Sequence, residues 1–179
     1  MSVDTNSIMS KVLGQYRLRI EGTHGMSHWS RVLRIGRYLA PLTGADQDVC
    51  DLFALLHDSQ RVTEGPDDFH GIRGARYVAS LLKYELKEYT HKQIDCLMYA
   101  IKHHNMGGTR SHDVTITTCW DMDRLDLGRV GYRPDPKKLC THEGKKQSVI
   151  DWAYSASVIN TLGPDENVLI PEKSTVYRF

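Results

Sequence analysis

No stretch of this 179-residue chain approaches the roughly 18 consecutive apolar residues of a membrane-spanning helix, so no membrane partner is expected. Cysteine is sparse. Cys50, Cys96, Cys119 and Cys140 lie far apart and form no C-x-x-C pair, which argues against a zinc–thiolate site and against a disulfide framework. Each sits in or beside an apolar segment, as a reduced and buried thiol would. An excess of one charge is lacking too: 23 Lys+Arg against 22 Asp+Glu leave +1, no electrostatic footprint for nucleic acid. The opening MSVDTNSIMSKVLG has no apolar run of the kind a secretory signal needs, which points to a cytoplasmic protein. Repeats, linkers and composition breaks are missing as well. With 40% hydrophobic and 25% charged residues, the chain is neither disordered nor collagen-like, and residues 1–179 read as one domain.

What is present is helical periodicity and histidine. Ile8, Val12, Tyr16 and Ile20 line one face of a first helix. Trp29, Val32, Leu33, Gly36, Leu39 and Ala40 line a second, which Pro41 is expected to stop. Asp46 reads as the N-cap of a third helix with Val49, Leu52, Phe53 and Leu56 inward. Ile72, Ala75, Val78, Ala79, Leu82 and Leu86 mark a fourth. Thr90 would cap a fifth built on Ile94, Leu97, Met98 and Ile101, which ends before Gly107-Gly108. Ile116, Cys119 and Trp120 start a sixth, and Val149, Trp152, Ala153 and Ala156 define a seventh. Residues 61–68, 107–113 and 128–146 read as loops, and Ser174 to Phe179 as a strand or an extended tail. The fold class is all-α, with about seven helices.

Nine histidines, about one residue in 20, are more than an ordinary composition supplies. Several occupy inward positions: His28 lies one turn before Val32, His57-Asp58 closes the run Leu52 to Leu56, and His104 follows Ile101 and Leu97. Asp123 keeps helical register with Ile116, Cys119 and Trp120, and His70 ends the turn that opens the fourth helix. Burying one such group without a partner costs a few kcal/mol. A shared divalent metal compensates several at once, since neutral imidazole and carboxylate are its standard ligands.

The order His28, His57-Asp58, His103-His104, Asp123 resembles the HD-domain superfamily of metal-dependent phosphohydrolases, all-α bundles named for their adjacent His-Asp. The local motifs agree: His28-x-x-x-Val32, Leu55-Leu56-His57-Asp58-x-x-Arg61, and Met122-Asp123-Arg124-Leu125-Asp126-Leu127. The likeness covers residues 22–130, with loop 128–146 and the last helix packed on that core; the passage from Cys119 to Val130 looks like an uncharacterised HD subgroup. The resemblance implies that His28, His57, Asp58 and Asp123 hold a first metal. In Phe69-His70-Gly71-x-x-Gly74-Ala75 it suggests a ligand of HD-type dinucleoside polyphosphate hydrolases, and in His103-His104 the pair of HD-GYP phosphodiesterases and CRISPR-associated HD nucleases. Carried over, Asp58 bridges two ions and His70, His104 and His103 hold the second. The GYP signature is missing, so a cyclic-dinucleotide substrate gains no support.

The function implied is hydrolysis of a phosphoester or phosphoanhydride bond in a nucleotide-like small molecule, by a water activated on a binuclear site of Fe, Mn, Co, Ni or Zn, with Mg also admissible. Asp58, Arg61 and Arg124 are the catalytic candidates, with arginine's fork suited to phosphate oxygens. For Arg61 the plain alternative is a solvated helix end, and for Arg124 and Arg129 an ion pair with Asp121 or Asp126. Glu64, His24 and Arg129 are candidates for supporting or substrate contacts, Glu64 as a proton donor. His91, His112 and His142, together with Lys137, Lys138, Lys145 and Lys146, read as solvated surface. Two other classes stay open: a mixed-valent di-iron oxygenase with a similar ligand set, and a regulatory module that kept its metals but lost catalysis.

Overall fold

A computed structural model describes residues 5–159. Among them are seven α-helices and no strand: α1 Thr5–Gln15, α2 Met26–Thr43, α3 Gln47–Leu56, α4 His70–Leu81, α5 His91–His103, α6 Val114–Leu125 and α7 Gln147–Val158. Three 3-10 turns, His104–Met106, Leu127–Val130 and Pro136–Lys138, sit in the connections. The all-α expectation holds. The tail Ser174 to Phe179 lies outside the described residues.

Local signals set most helix boundaries. Asp46 accepts a hydrogen bond from the Val49 amide and starts α3. Thr90 and Gln93 form a reciprocal capping box on α5, and Asp113 caps α6 through the Thr115 amide, so that α6 opens at Val114, two residues before the expected start. Pro41 does not stop α2. Its ring removes one donor near the end of the helix, while Thr43 Oγ1 bonds the Leu39 carbonyl and the Gly44 and Ala45 amides both reach the Ala40 carbonyl. The true stop is Gly44, in the left-handed region at φ 77°.

Two further expectations need correction. The first helix ends at Gln15, so Tyr16 and Ile20 belong to a turn-rich segment, residues 16–25, that still packs on the core. That segment folds back because the Met26 amide bonds the Ile20 carbonyl and the Tyr16 hydroxyl donates to the His24 carbonyl. On α4 the inward face is rotated from the expected one. Ala75 and Val78 are buried, but Ala79 and Leu82 are exposed, and His70, Gly71, Gly74 and Leu81 complete the buried stripe. The reason is close packing on α5: a Cβ at Gly71 would sit 2.7 Å from the Ile101 carbonyl oxygen.

α2, α3, α5 and α6 enclose the core of Trp29, Val32, Leu39, Phe53, Leu56, Leu97, Ile101 and Met122, with α2 against α3 and α6, and α4 against α5. The long connection between α6 and α7 is tied down. Asp121, fully buried, accepts from the Cys140 and Thr141 amides and the Thr141 hydroxyl, and Leu139 inserts into the core. No helix of the described residues is long and apolar enough to cross a membrane. The four thiols are free; Cys50 and Cys119 are buried, Cys96 and Cys140 half-buried.

Candidate metal centre

Helix ends aim the site. His28 lies in the first turn of α2, His57 caps the end of α3 with Asp58 next, His70 opens α4, His104 follows α5, and Asp123 stands in the last turn of α6. His28, His57, Asp58, His70 and His104 are all buried.

Each buried imidazole is held by its Nδ1. That of His57 bonds the Phe53 carbonyl at 3.0 Å, that of His104 the Ile101 carbonyl at 2.7 Å, and that of His70 the Asp67 carbonyl. His28 Nδ1 meets the Asp126 carboxylate at 2.7 Å. Carbonyl oxygens only accept, so Nδ1 carries the proton on His57, His70 and His104 and each Nε2 is turned toward the centre. There His28 Nε2 lies 3.0 Å from His57 Nε2, and His70 Nε2 lies 2.8 Å from His104 Nε2. Burial pushes the His57 pKa down to about 3, against the opposing pull of Asp58, so this ring is neutral at neutral pH. Facing lone pairs at such distances repel unless a cation lies between them. Two nitrogens that share one ion at about 2.1 Å stand about 3.0–3.4 Å apart, a span that the His28–His57 pair meets and the His70–His104 pair falls slightly short of.

Asp58 joins the two pairs. Its Oδ2 faces His28 and His57 Nε2 at 3.6 and 3.8 Å, and its Oδ1 faces His70 and His104 Nε2 at 3.2 and 3.7 Å. Oδ1 is buried and accepts no hydrogen bond. Burial alone would raise the Asp58 carboxyl, but the surrounding imidazoles of His57, His104, His70 and His28 hold it well below the usual carboxylate range. His104 is balanced the other way: burial lowers it, and the Asp58 and Asp123 carboxylates together raise it. Two groups could each hold a metal ion: His28, His57 and Asp58, and Asp58, His70 and His104. Asp123 Oδ1 joins the first at 3.5 Å from His28 Nε2 and 3.8 Å from His57 Nε2. The donor set fits divalent cations, and it is compatible with an HD-type site.

His103 is not brought into the cluster. Adjacent helix positions point about 100° apart, and with His104 inward, His103 lies against Tyr99 with the rings tilted and sets Nδ1 against the Met106 sulfur. Arg124 also stays outside. Its Nη1 donates to the Lys138 carbonyl and its guanidinium lies over Trp120, so it braces the connection to α7 and pairs with neither Asp121 nor Asp126. Arg61, in contrast, is buried, with Nη1 3.6 Å from Asp58 Oδ1 and Nη2 on the Gly65 carbonyl, not a solvated helix end. Arg129 Nη2 pairs with Asp123 Oδ1 at 3.3 Å, and Nη1 bonds the Asp126 carbonyl and lies 3.9 Å from the Asp126 carboxylate, so the ion-pair alternative holds for Arg129. His24 Nδ1 meets Glu64 Oε2 at 2.7 Å, and the half-exposed Glu64 side chain, 40% accessible, stands toward solvent. His91, His112, His142 and the four lysines are exposed.

Sequence reasoning passed over two residues beneath the site: Asp126, which grips His28, and Arg31, which grips Asp126 at 2.6 Å. Their signal was register. Arg31 follows His28 by three and Asp126 follows Asp123 by three, so each lies one turn from a ligand. No protein-family model, curated protein or solved structure matches the sequence.

Proposed function

We propose that this protein is a metal-dependent phosphohydrolase or phosphodiesterase that cleaves a phosphoester or phosphoanhydride bond of a nucleotide-like small molecule. The observation that carries the reading is Asp58, one carboxylate set between two inward-facing imidazole pairs with an oxygen toward each. His28, His57, Asp58 and Asp123 would hold one cation, and Asp58, His70 and His104 another. When bound, such cations lower the pKa of a water and offset charge on phosphoryl oxygens.

The chain's own groups supply the rest. Arg61 is fixed by the Thr63 and Gly65 carbonyls and Arg129 by the Asp126 carbonyl, so both guanidinium forks are positioned before substrate arrives. Cationic donors placed beside developing phosphate charge favour phosphoryl transfer over a neutral substrate's chemistry. At the edge, Glu64 accepts from His24 Nδ1, and burial lowers the pKa of that imidazole, so its Nε2 carries a lone pair that can accept a proton rather than deliver one.

The test is elemental analysis of protein purified without chelators, followed by a screen of nucleotides and generic phosphodiesters with Mn, Fe, Co, Ni and Mg. About two ions per chain are expected, with hydrolysis that Asp58→Ala lowers by more than about 100-fold, beyond the loss of an outer partner. No bound metal after supplementation would sink the reading. Metal without hydrolysis across the screen would favour a regulatory module, and substrate-dependent oxygen consumption the oxygenase.

A further inference from the structure

The two imidazole pairs are anchored differently. His57, His70 and His104 each present Nδ1 to a backbone carbonyl. His28 alone presents it to a carboxylate, that of Asp126, which is fully buried. This carboxylate is also the meeting point of three segments. Its Oδ1 accepts Arg31 Nε at 2.6 Å and the Ser157 hydroxyl at 2.7 Å, and its Oδ2 accepts Arg31 Nη2 at 3.0 Å beside His28. Arg31 and His28 come from α2, Ser157 from α7, and Asp126 from the end of α6.

We propose that Asp126 is a positioning residue for His28, and that through it the His28–His57–Asp58 group is the tighter of the two metal-binding groups. A carboxylate behind an imidazole fixes its tautomer and rotation as a carbonyl does, and in addition raises the basicity of the far nitrogen. A carbonyl carries no net charge and does less. The Arg31 guanidinium holds the carboxylate in plane with two hydrogen bonds, and Ser157 ties its orientation to α7. His70 and His104 have no such support, so their pair fills second. The inference rests on the metal reading above, deepening it to an order of loading.

The experiment is calorimetric titration of the metal-free full chain with Mn²⁺ alone. Wild type is expected to show two events of unequal affinity. Asp126→Asn should weaken the tighter event by about 10–100-fold and leave the other unchanged. Ser157→Ala, which keeps the carboxylate and removes one donor, should weaken the same event by about 2–10-fold; it carries the test if Asp126→Asn does not fold. A merely structural role would lower both events together. Two events in wild type, with both or neither altered in the variants, would overturn the proposal while the metal reading stands. Absence of any Mn²⁺ binding in wild type would overturn both.

Discussion

A buried imidazole that must stay neutral binds a metal readily and resents acid. His57 is such a group, held near 3 chiefly by burial, so between pH 6.5 and 3 the unfolded chain takes up a proton that the folded chain refuses. The sign follows: stability falls as pH drops through that window. From pH 7 to pH 5 the metal-free protein should lose about 2 kcal/mol from His57 alone, partly offset by His104, whose pKa moves upward. Urea unfolding in the presence of chelator checks this, and equal midpoints at the two pH values would contradict it. Much of the candidate site was legible at this scale. His28, His57, His104 and Asp123 could be read because each is polar where its neighbours in helical register are apolar, Asp58 because it follows His57 directly, and His70 only through the resemblance of its Phe69-His70-Gly71-x-x-Gly74-Ala75 segment. His103 could not be separated from His104, because which of two adjacent residues turns inward depends on the rotation of α5 against its neighbours. Nor does spacing separate the roles of Arg124 and Asp126: only the packed chain shows Asp126 beneath His28 and Arg124 bracing Lys138.

Helix α4 shows what determines an element's inner face. Apolar spacing alone put Ala79 and Leu82 inside, and both are exposed. The stripe His70, Gly71, Gly74 prevails because the absence of side chains lets α4 approach the backbone of α5 and brings His70 to His104. A Cβ at Gly71 would meet the Ile101 and Lys102 carbonyl oxygens at 2.7 and 2.9 Å, atoms that have no rotamer to move away. Gly71→Ala should therefore destabilise by about 1–3 kcal/mol in urea unfolding, despite alanine's better helix propensity. An unchanged or higher midpoint would show that α4 shifts without penalty. Pro41 gives the complementary lesson: a breaker near a helix end loses to hydroxyl and glycine capping just beyond it.

Among the described residues, helix number and class followed from periodicity, whereas the firmness of the connection between α6 and α7 did not. It depends on the buried Asp121 carboxylate, whose partners lie about 20 residues away in sequence, on Arg124 bonding the Lys138 carbonyl, and on Leu139 in the core. The near-zero net charge likewise concealed Asp58, Asp123 and Asp126 gathered around four imidazoles. An ion at 100 times its dissociation constant adds about 2.7 kcal/mol per site, which for a domain of this size raises the thermal midpoint by roughly 5–11 °C. Scanning calorimetry before and after chelation should show that drop, and an unchanged midpoint would count against metal in the folded chain. The candidate ligands are also drawn from positions 28 to 123, and only His57-Asp58 are neighbours in sequence. A disordered chain therefore offers an ion little more than a pair of donors, and the full set exists only after α2, α3, α4, α5 and α6 have docked. Metal would then be a latch on the finished fold rather than a template for it: it would slow the unfolding step and leave the rate of folding almost untouched.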